Sequence, residues 1–133
     1  MLRVAVYCRV ARKDDFSLEL QRNSLLQFSK SQGYEDVAVY LDNGVTGATF
    51  DRPALNQLTL DIVSGRVKTL FIKDYARLGR NYIELTKWLE MAGVYGAEVI
   101  SQAEPPASNE QFKQTMRQFV KLQKHKRKAN RKV

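Results

Sequence analysis

The chain has 133 residues, 44% of them hydrophobic, which is enough for one hydrophobic core and too few for two. A single cysteine, Cys8, and a single histidine, His125, exclude a metal site of the usual thiolate and imidazole kind. No run approaches the roughly 20 apolar residues of a membrane helix. The N-terminus has a strand pattern without an apolar signal core, so we expect a cytoplasmic protein.

The net charge of +8 comes from one end of the chain. All 14 acidic residues lie at or before Glu110, whereas nine of the 22 basic residues follow it. A block of one charge sign either stays solvated or binds a polyanion. Because KLQKHKRKANRKV is so dense in positive charge, we favour nucleic acid as its partner over a tail that only adds solubility. The candidate DNA-binding residues are Lys121, Lys124, Lys126, Arg127, Lys128, Arg131 and Lys132.

Strand and helix patterns alternate over the first hundred residues. Hydrophobic runs predict strands at 2–10, 37–41, 69–73 and 97–101. Helical patterns begin at Ser17 and Pro53 and cover 82–92, and Gly33 and Gly65 mark the ends of the first two helices. This alternation predicts an α/β fold with a mainly parallel sheet of four to five strands, flanked by helices and joined by right-handed crossovers.

A different element follows the segment EPPASNE. The apolar residues at positions i, i+4, i+7 and i+8 of this element are Phe112, Met116, Phe119 and Val120. This spacing is typical of one apolar stripe on a helix. We therefore divide the chain into a domain at 1–106 and a long amphipathic helix with a basic tail at 107–133. The stripe either lies on its own domain or pairs with a second copy, and the sequence leaves both open.

Polar residues from three segments are expected at one edge of the sheet. Functional crevices of open α/β sheets lie beyond the carboxyl ends of the strands. The residues that follow or end these strands are Tyr7, Arg9, Arg52, Asp74, Arg77 and Arg80, and Gln21 lies early in the first helix. Tyr7 and Arg9 share a strand face because side chains alternate with period two. A helical turn would place Arg77 and Arg80, three residues apart, on one side.

Guanidinium groups that converge without metal ligands indicate an oxyanion site, and phosphate fits best. Planar guanidinium groups bind phosphate oxygens through two parallel hydrogen bonds and can stabilise developing negative charge. The alternative is that these arginines are scattered surface or ion-pair residues. The sequence GVTG is a weaker indication of backbone amide donors for the same anion.

Four motifs in order carry a family resemblance. YCRVA, SLELQR, GVTGATFDRPAL and IKDYARLGRNYIEL, spread over about residues 2–105, resemble successive signature blocks of the serine recombinase (resolvase/invertase) catalytic domain. The long helix after them resembles the dimer and DNA-contacting helix of that family. The resemblance implies DNA strand exchange through a covalent phosphoserine link, without a metal or nucleotide cofactor. It also implies double-stranded DNA as partner, and a homodimer or tetramer formed through the helix at 108–127.

The resemblance assigns roles residue by residue. The positions that match phosphate-binding arginines are Arg9, Arg52, Arg77 and Arg80; Gln21 matches a supporting glutamine, Tyr7 the strand tyrosine, and Asp74 an aspartate of the larger recombinases. The position of the nucleophilic serine is occupied by Ala11. An alanine methyl group has no lone pair and no ionisable proton, so nucleophilic catalysis at this position is impossible. An engineered substitution and a naturally inactive relative fit the sequence equally well. We interpret Ser17 as a helix N-cap and not as a replacement nucleophile, and Ser24 is a poorer candidate still.

Three functions stay open. The first is a serine recombinase catalytic domain, inactive as written because of Ala11. The second is a non-enzymatic DNA-binding or regulatory module that dimerises with an active recombinase. The third is an anion-binding protein for a small phosphorylated ligand. Members of the family carry a separate DNA-binding domain after the long helix, so a chain complete at Val133 would lack the part that reads a recombination site.

Overall fold

The computed structural model describes residues 3–48 and 51–103. The strands are β1 (Arg3–Val10), β2 (Val37–Asn43), β3 (Val67–Ile72) and β4 (Glu98–Ser101). The helices are α1 (Asp15–Ser31), α2 (Pro53–Val63), α3 (Tyr75–Leu78) and α4 (Tyr82–Val94). The predictions for 107–133, which are the long basic helix, its DNA-contacting side chains and the oligomer contact, lie outside the described residues.

The four strands form one parallel sheet in the order β2-β1-β3-β4. The predicted parallel α/β architecture is therefore confirmed for the described part of the chain. Because β1 lies between β2 and β3, the loops that follow these three strands meet at one edge. Tyr7 near the end of β1 is in register with Tyr40 on one side and Ile72 on the other. This register brings the candidate site residues together.

Alternate residues of the central strand face two separate cores. On one face, Val6 and Cys8 pack with Phe71 and with Leu18 and Leu25 of α1. The other face carries Ala5 and Tyr7 and is covered by α2 and α4. Cys8 is buried, as predicted, and this burial raises the pKa of its thiol to about 12. It therefore serves as a small apolar core residue.

Helix α1 begins two residues earlier than predicted, and its N-cap is Asp14. The Oδ1 atom of Asp14 accepts the Ser17 amide at 3.1 Å, and Oδ2 accepts the Ser17 hydroxyl at 2.7 Å. The prediction that Ser17 is the N-cap is wrong because the carboxylate of Asp14 takes this role and Ser17 donates to it. Asn43 of β2 also accepts the Asp14 amide at 3.0 Å and donates to Asp15 at 2.7 Å. The start of α1 is thus joined to the end of β2.

Candidate functional site

Arg9 lies at the end of β1, and its backbone is paired by a side chain. The carbonyl of Val10 accepts the Gly44 amide at 2.9 Å on the β2 side, so the backbone groups of Arg9 face the β3 side. There β3 has already ended at Ile72. The Oε1 atom of Gln21 accepts the Arg9 amide at 3.1 Å, and its Nε2 donates to the Arg9 carbonyl at 3.2 Å. Gln21 therefore takes the place of a strand neighbour and fixes the direction in which Arg9 leaves the sheet.

The guanidinium of Arg9 is buried, with 1% of the residue exposed, and is bonded to backbone carbonyls. Its Nε donates to the carbonyl of Arg77 at 2.9 Å. Its Nη1 donates to the carbonyl of Val45 at 3.0 Å, and its Nη2 donates to the carbonyl of Ala76 at 3.2 Å. Arg9 thereby joins the loop after β2 to the segment after β3. All three acceptors are neutral, so none of these bonds compensates the positive charge.

Arg52 is also buried and contacts the same segment. Its Nη1 donates to the carbonyl of Arg77 at 3.2 Å, and its Nη2 donates to the carbonyl of Leu78. The same Nη1 donates to the hydroxyl of Tyr7 at 3.1 Å, and Tyr7 donates to Oδ2 of Asp42 at 2.7 Å. Burial, and then the bond to Asp42, raise the pKa of Tyr7 far above its ordinary value. Tyr7 therefore stays a neutral link between a guanidinium and a carboxylate.

Asp42 is a site residue that the sequence reasoning missed. It is 3% exposed and in register with Arg9, and it accepts the amides of Ala54 at 2.9 Å and Leu55 at 3.1 Å. These are first-turn amides of α2, whose own N-cap residue, Arg52, makes no capping bond with its side chain. The signal for Asp42 was present in the sequence, because it follows Tyr40 at strand spacing and so shares its buried face.

The segment after β3 departs from the predicted loop. It contains the one-turn helix α3, whose N-cap Asp74 accepts the Arg77 amide at 2.8 Å. The helix ends at Leu78 and is followed by extended backbone at Gly79. The prediction that one helical turn stacks Arg77 and Arg80 is therefore wrong. Instead, the amide of Arg80 donates to the carbonyl of Gly47 at 3.1 Å. This bond is a second connection between the loop after β2 and the segment after β3.

The four arginines nevertheless lie close enough to repel one another. The pKa of Arg9 is lowered, first by its burial and then by the positive charges of Arg52, Arg77 and Arg80, while Tyr7 acts in the opposite direction. Arg77 is half-buried and Arg80 is exposed, so solvent reaches the outer pair. Like charges that are held together by the fold attract an anion. The positive charges of Arg52, Arg77 and Arg80 thus all act on the buried guanidinium of Arg9 at the carboxyl edge of the sheet.

Ala11, the position that the family resemblance assigns to a nucleophile, lies one residue beyond β1. Ala11 is exposed, in the same edge region as the strand that delivers Arg9. Ser17 is exposed and bonded to Asp14, and Ser24 lies further along α1, where its hydroxyl and the side-chain amide of Gln102 are bonded at 3.1 Å. The hydroxyls of both serines are thus bonded to other side chains.

The loop GVTG uses its backbone for structure. The amide of Gly44 donates to the carbonyl of Val10, so this group is not available for the predicted bond to an anion. Gly47 lies directly against Arg9: a Cβ atom there would be 2.6 Å from Nη2 and 2.8 Å from Cζ. The close approach explains why glycine is required at this position.

Gly47→Ala is expected to displace the Arg9 guanidinium and to destabilise the protein by about 1–3 kcal/mol. Since the added methyl group clashes with Arg9, combining it with Arg9→Ala should give a cost well below the sum of the two single costs. Urea unfolding of the four proteins measures this cycle. Fully additive costs would contradict the close contact.

Within the described ranges 3–48 and 51–103, no group of three or more histidine, cysteine, aspartate or glutamate side chains is arranged to hold a metal ion. In the same part of the chain, no helix has the length and apolar character needed to cross a bilayer.

Comparison with protein families identifies the class. Residues 4–132 match the family described as Resolvase, N terminal domain. The chain therefore belongs to the resolvase N-terminal domain family, the catalytic-domain family of the serine recombinases.

Solved structures agree on the fold. The N-terminal catalytic domain of TP901-1 integrase has a TM-score of 0.83 at 23% identity, with 92% of this chain and 97% of that chain covered. A resolvase family site-specific recombinase from Streptococcus pneumoniae has a TM-score of 0.80 at 22% identity, covering 98% and 93%. The C-terminal catalytic domain of ISC1926 TnpA, an IS607-like serine recombinase, has a TM-score of 0.70 at 25% identity, covering 77% and 71%.

Sequence similarity extends to one much longer relative. A candidate DNA recombinase of Bacillus subtilis (strain 168) is 32% identical over 81 residues, which are 58% of this chain and 16% of that protein. This chain thus corresponds to a small part of the length of the relative it matches.

Proposed function

We propose that the arginine cluster binds a phosphate of double-stranded DNA, as part of a serine-type site-specific recombinase. The observation that carries this proposal is the charge on Arg9. It is buried, its hydrogen bonds go to neutral carbonyls, and three further arginines lower its pKa. A phosphodiester offers the negative charge and the acceptor oxygens that such a cluster lacks.

The two parts of the chain have different roles in this proposal. We propose that residues 1–106 correspond to the catalytic domain and that 107–133 contact DNA and join copies into a homodimer or tetramer through 108–127. The basic residues after Glu110 supply affinity for the DNA backbone, which weakens with salt and carries no sequence information. No metal or nucleotide cofactor takes part.

With Ala11 at the position of the nucleophile, the chain binds DNA without cleaving it. Formation of a phosphoserine link requires attack by a hydroxyl oxygen on phosphorus and departure of the 3′ oxygen of the neighbouring nucleotide. Ala11 offers no oxygen for this attack, whereas the groups that bind phosphate are unaffected by the missing hydroxyl.

A binding experiment tests the phosphate site. The double variant Arg77→Gln, Arg80→Gln is expected to bind duplex DNA at least about tenfold more weakly, because two charge-assisted contacts are lost. The slope of log affinity against log salt should also fall by about 2, which is close to one unit for each lost contact. Lys87→Gln removes an exposed positive charge from α4 and is the matched control, with a small change expected.

Equal affinity and equal slope for the double variant and the control would contradict the proposed site. That outcome would assign all DNA binding to residues 111–133 and would favour the alternative of a regulatory module without a phosphate site. The alternative gains its support from Ala11, since a chain that cannot cleave DNA can still occupy a place in an assembly with an active recombinase.

A further inference from the structure

The charge of Arg52 has different surroundings from that of Arg9. Arg52 donates to the Tyr7 hydroxyl at 3.1 Å, and Tyr7 in turn donates to Asp42 at 2.7 Å. A carboxylate therefore lies one hydroxyl group away from the Arg52 guanidinium. The three side-chain bonds of Arg9 lead to neutral carbonyls, and its charge adds to those of Arg52, Arg77 and Arg80. Through these bonds the Arg52 guanidinium is linked to a carboxylate, whereas the Arg9 guanidinium is not.

Two further bonds of Arg52 satisfy the end of a helix. The last carbonyls of any α-helix have no partner within the helix. In α3 these include the carbonyls of Arg77 and Leu78, and Arg52 donates to both of them. Basic side chains commonly cap helix ends in this way. Here the capping residue comes from the N-cap of α2, a separate part of the chain.

The backbone that Arg52 fixes is the backbone that carries the outer arginines. Arg77 supplies one of the capped carbonyls, and Arg80 follows two residues after Leu78, with its amide bonded to Gly47. Arg52 itself is 0% exposed, and its guanidinium bonds this backbone. The Cζ atom of Arg52 lies 5.7 Å from the centroid of the Tyr7 ring. The side chain is thereby enclosed in the fold, and the segment after β3 depends on it.

We propose that Arg52 is a positioning residue of the phosphate site, which acts through the backbone of Arg77 and Leu78 and does not touch the phosphate. This inference rests on the proposed function, and it differs from the phosphate-binding role that the family resemblance implied for Arg52. Arg9, Arg77 and Arg80 supply the positive charge that attracts the anion. Arg52 determines where the last two of these groups point.

Salt-dependent binding of duplex DNA separates a positioning residue from a contact residue. Arg80→Gln is expected to lower the salt slope by about 1, because one phosphate contact is lost, and Arg80→Lys should keep most of the slope. Arg52→Gln and Arg52→Lys should both weaken binding by about tenfold, whereas lysine at a contact position would restore most of the affinity. Lysine keeps the charge but cannot bond two carbonyls and a hydroxyl in the geometry of a guanidinium.

A milder variant covers the case in which Arg52 substitutions unfold the protein, as judged by near-ultraviolet circular dichroism. Tyr7→Phe removes the hydroxyl that Arg52 bonds and leaves the guanidinium in place, so we expect about threefold weaker DNA binding with the parental slope. Recovery of parental affinity in Arg52→Lys, or parental affinity in Arg52→Gln or Tyr7→Phe, would overturn the positioning role. An unchanged slope for Arg80→Gln would instead remove the phosphate site itself.

Discussion

An Asp42→Ala variant is expected to lose about 3–5 kcal/mol of unfolding free energy, which is a large part of the total stability of a small domain. The carboxylate of Asp42 accepts three hydrogen bonds, from the Tyr7 hydroxyl and from the amides of Ala54 and Leu55. Removing it leaves two backbone donors and one hydroxyl without their acceptor in a region that is 3% exposed at Asp42. Urea unfolding measures the loss.

Two further variants make this prediction specific. Asp42→Asn keeps the shape but replaces one acceptor oxygen with a donor, so at least one of the three bonds is lost and an intermediate cost of about 1–3 kcal/mol is expected. Asp36→Ala removes an exposed carboxylate just before the same strand and should change stability by less than about 0.5 kcal/mol. Equal costs for Asp42→Ala and Asp36→Ala would show that Asp42 does not join β2, α2 and Tyr7 as described.

Ala11→Ser is expected to have the largest effect on activity, with a covalent protein–DNA adduct where the Ala11 chain forms none. The serine hydroxyl would lie one residue beyond β1, in the edge region to which Arg9 belongs. Loss of a nucleophile lowers catalysis by several orders of magnitude, so its return should raise adduct formation by on the order of 10⁴-fold or more. The adduct can be detected on a denaturing gel after incubation with a pool of duplexes with randomised centres.

The controls for Ala11→Ser separate chemistry from binding. Adding Arg77→Gln and Arg80→Gln to Ala11→Ser should abolish the adduct although the serine is present, because the phosphate is no longer held or stabilised. Peptide mapping should place the DNA link on residue 11 and not on Ser17. An Ala11→Ser protein that folds and binds DNA but forms no adduct would contradict the catalytic assignment and favour the regulatory module.

Much of the fold could be predicted from the sequence because its signals are local. Hydrophobic runs, Pro53 and the glycines at 33 and 65 gave the alternation of strands and helices, and the structure confirms the parallel α/β sheet. Parallel order in turn places the ends of β1, β2 and β3 side by side. The convergence of arginines from three segments follows from that arrangement, and their mutual effect on the pKa of Arg9 agrees with it.

Two misses concern polar contacts at the ends of helices. Asp42 is bound to Tyr7 and to the amides of α2, and neither partner is near it along the chain. Ser17 resembled an N-cap, yet Asp14 takes that position with help from Asn43. The bonds of Asp42 to Tyr7 and of Asp14 to Asn43 depend on the tertiary fold, and no local pattern contains that information.

The role of each arginine was also beyond the sequence. Spacing alone suggested that Arg77 and Arg80 share a helical turn, whereas α3 ends between them at Leu78. It gave no sign that the guanidinium groups of Arg9 and Arg52 would bond backbone carbonyls. Burial separates an inner pair from an outer pair, and that separation depends on packing around the finished site.

The central claim, that Arg9, Arg77 and Arg80 gather around one DNA phosphate, is tested most directly by nitrogen-15 resonance spectroscopy of the arginine Nε–H groups. A short duplex is titrated into the labelled chain while these resonances and those of residues 111–133 are followed. We expect the Nε–H signals of the three arginines to shift together with one common dissociation constant. Shifts confined to the basic residues of 111–133, with the three arginine signals unmoved at saturation, would contradict the claim.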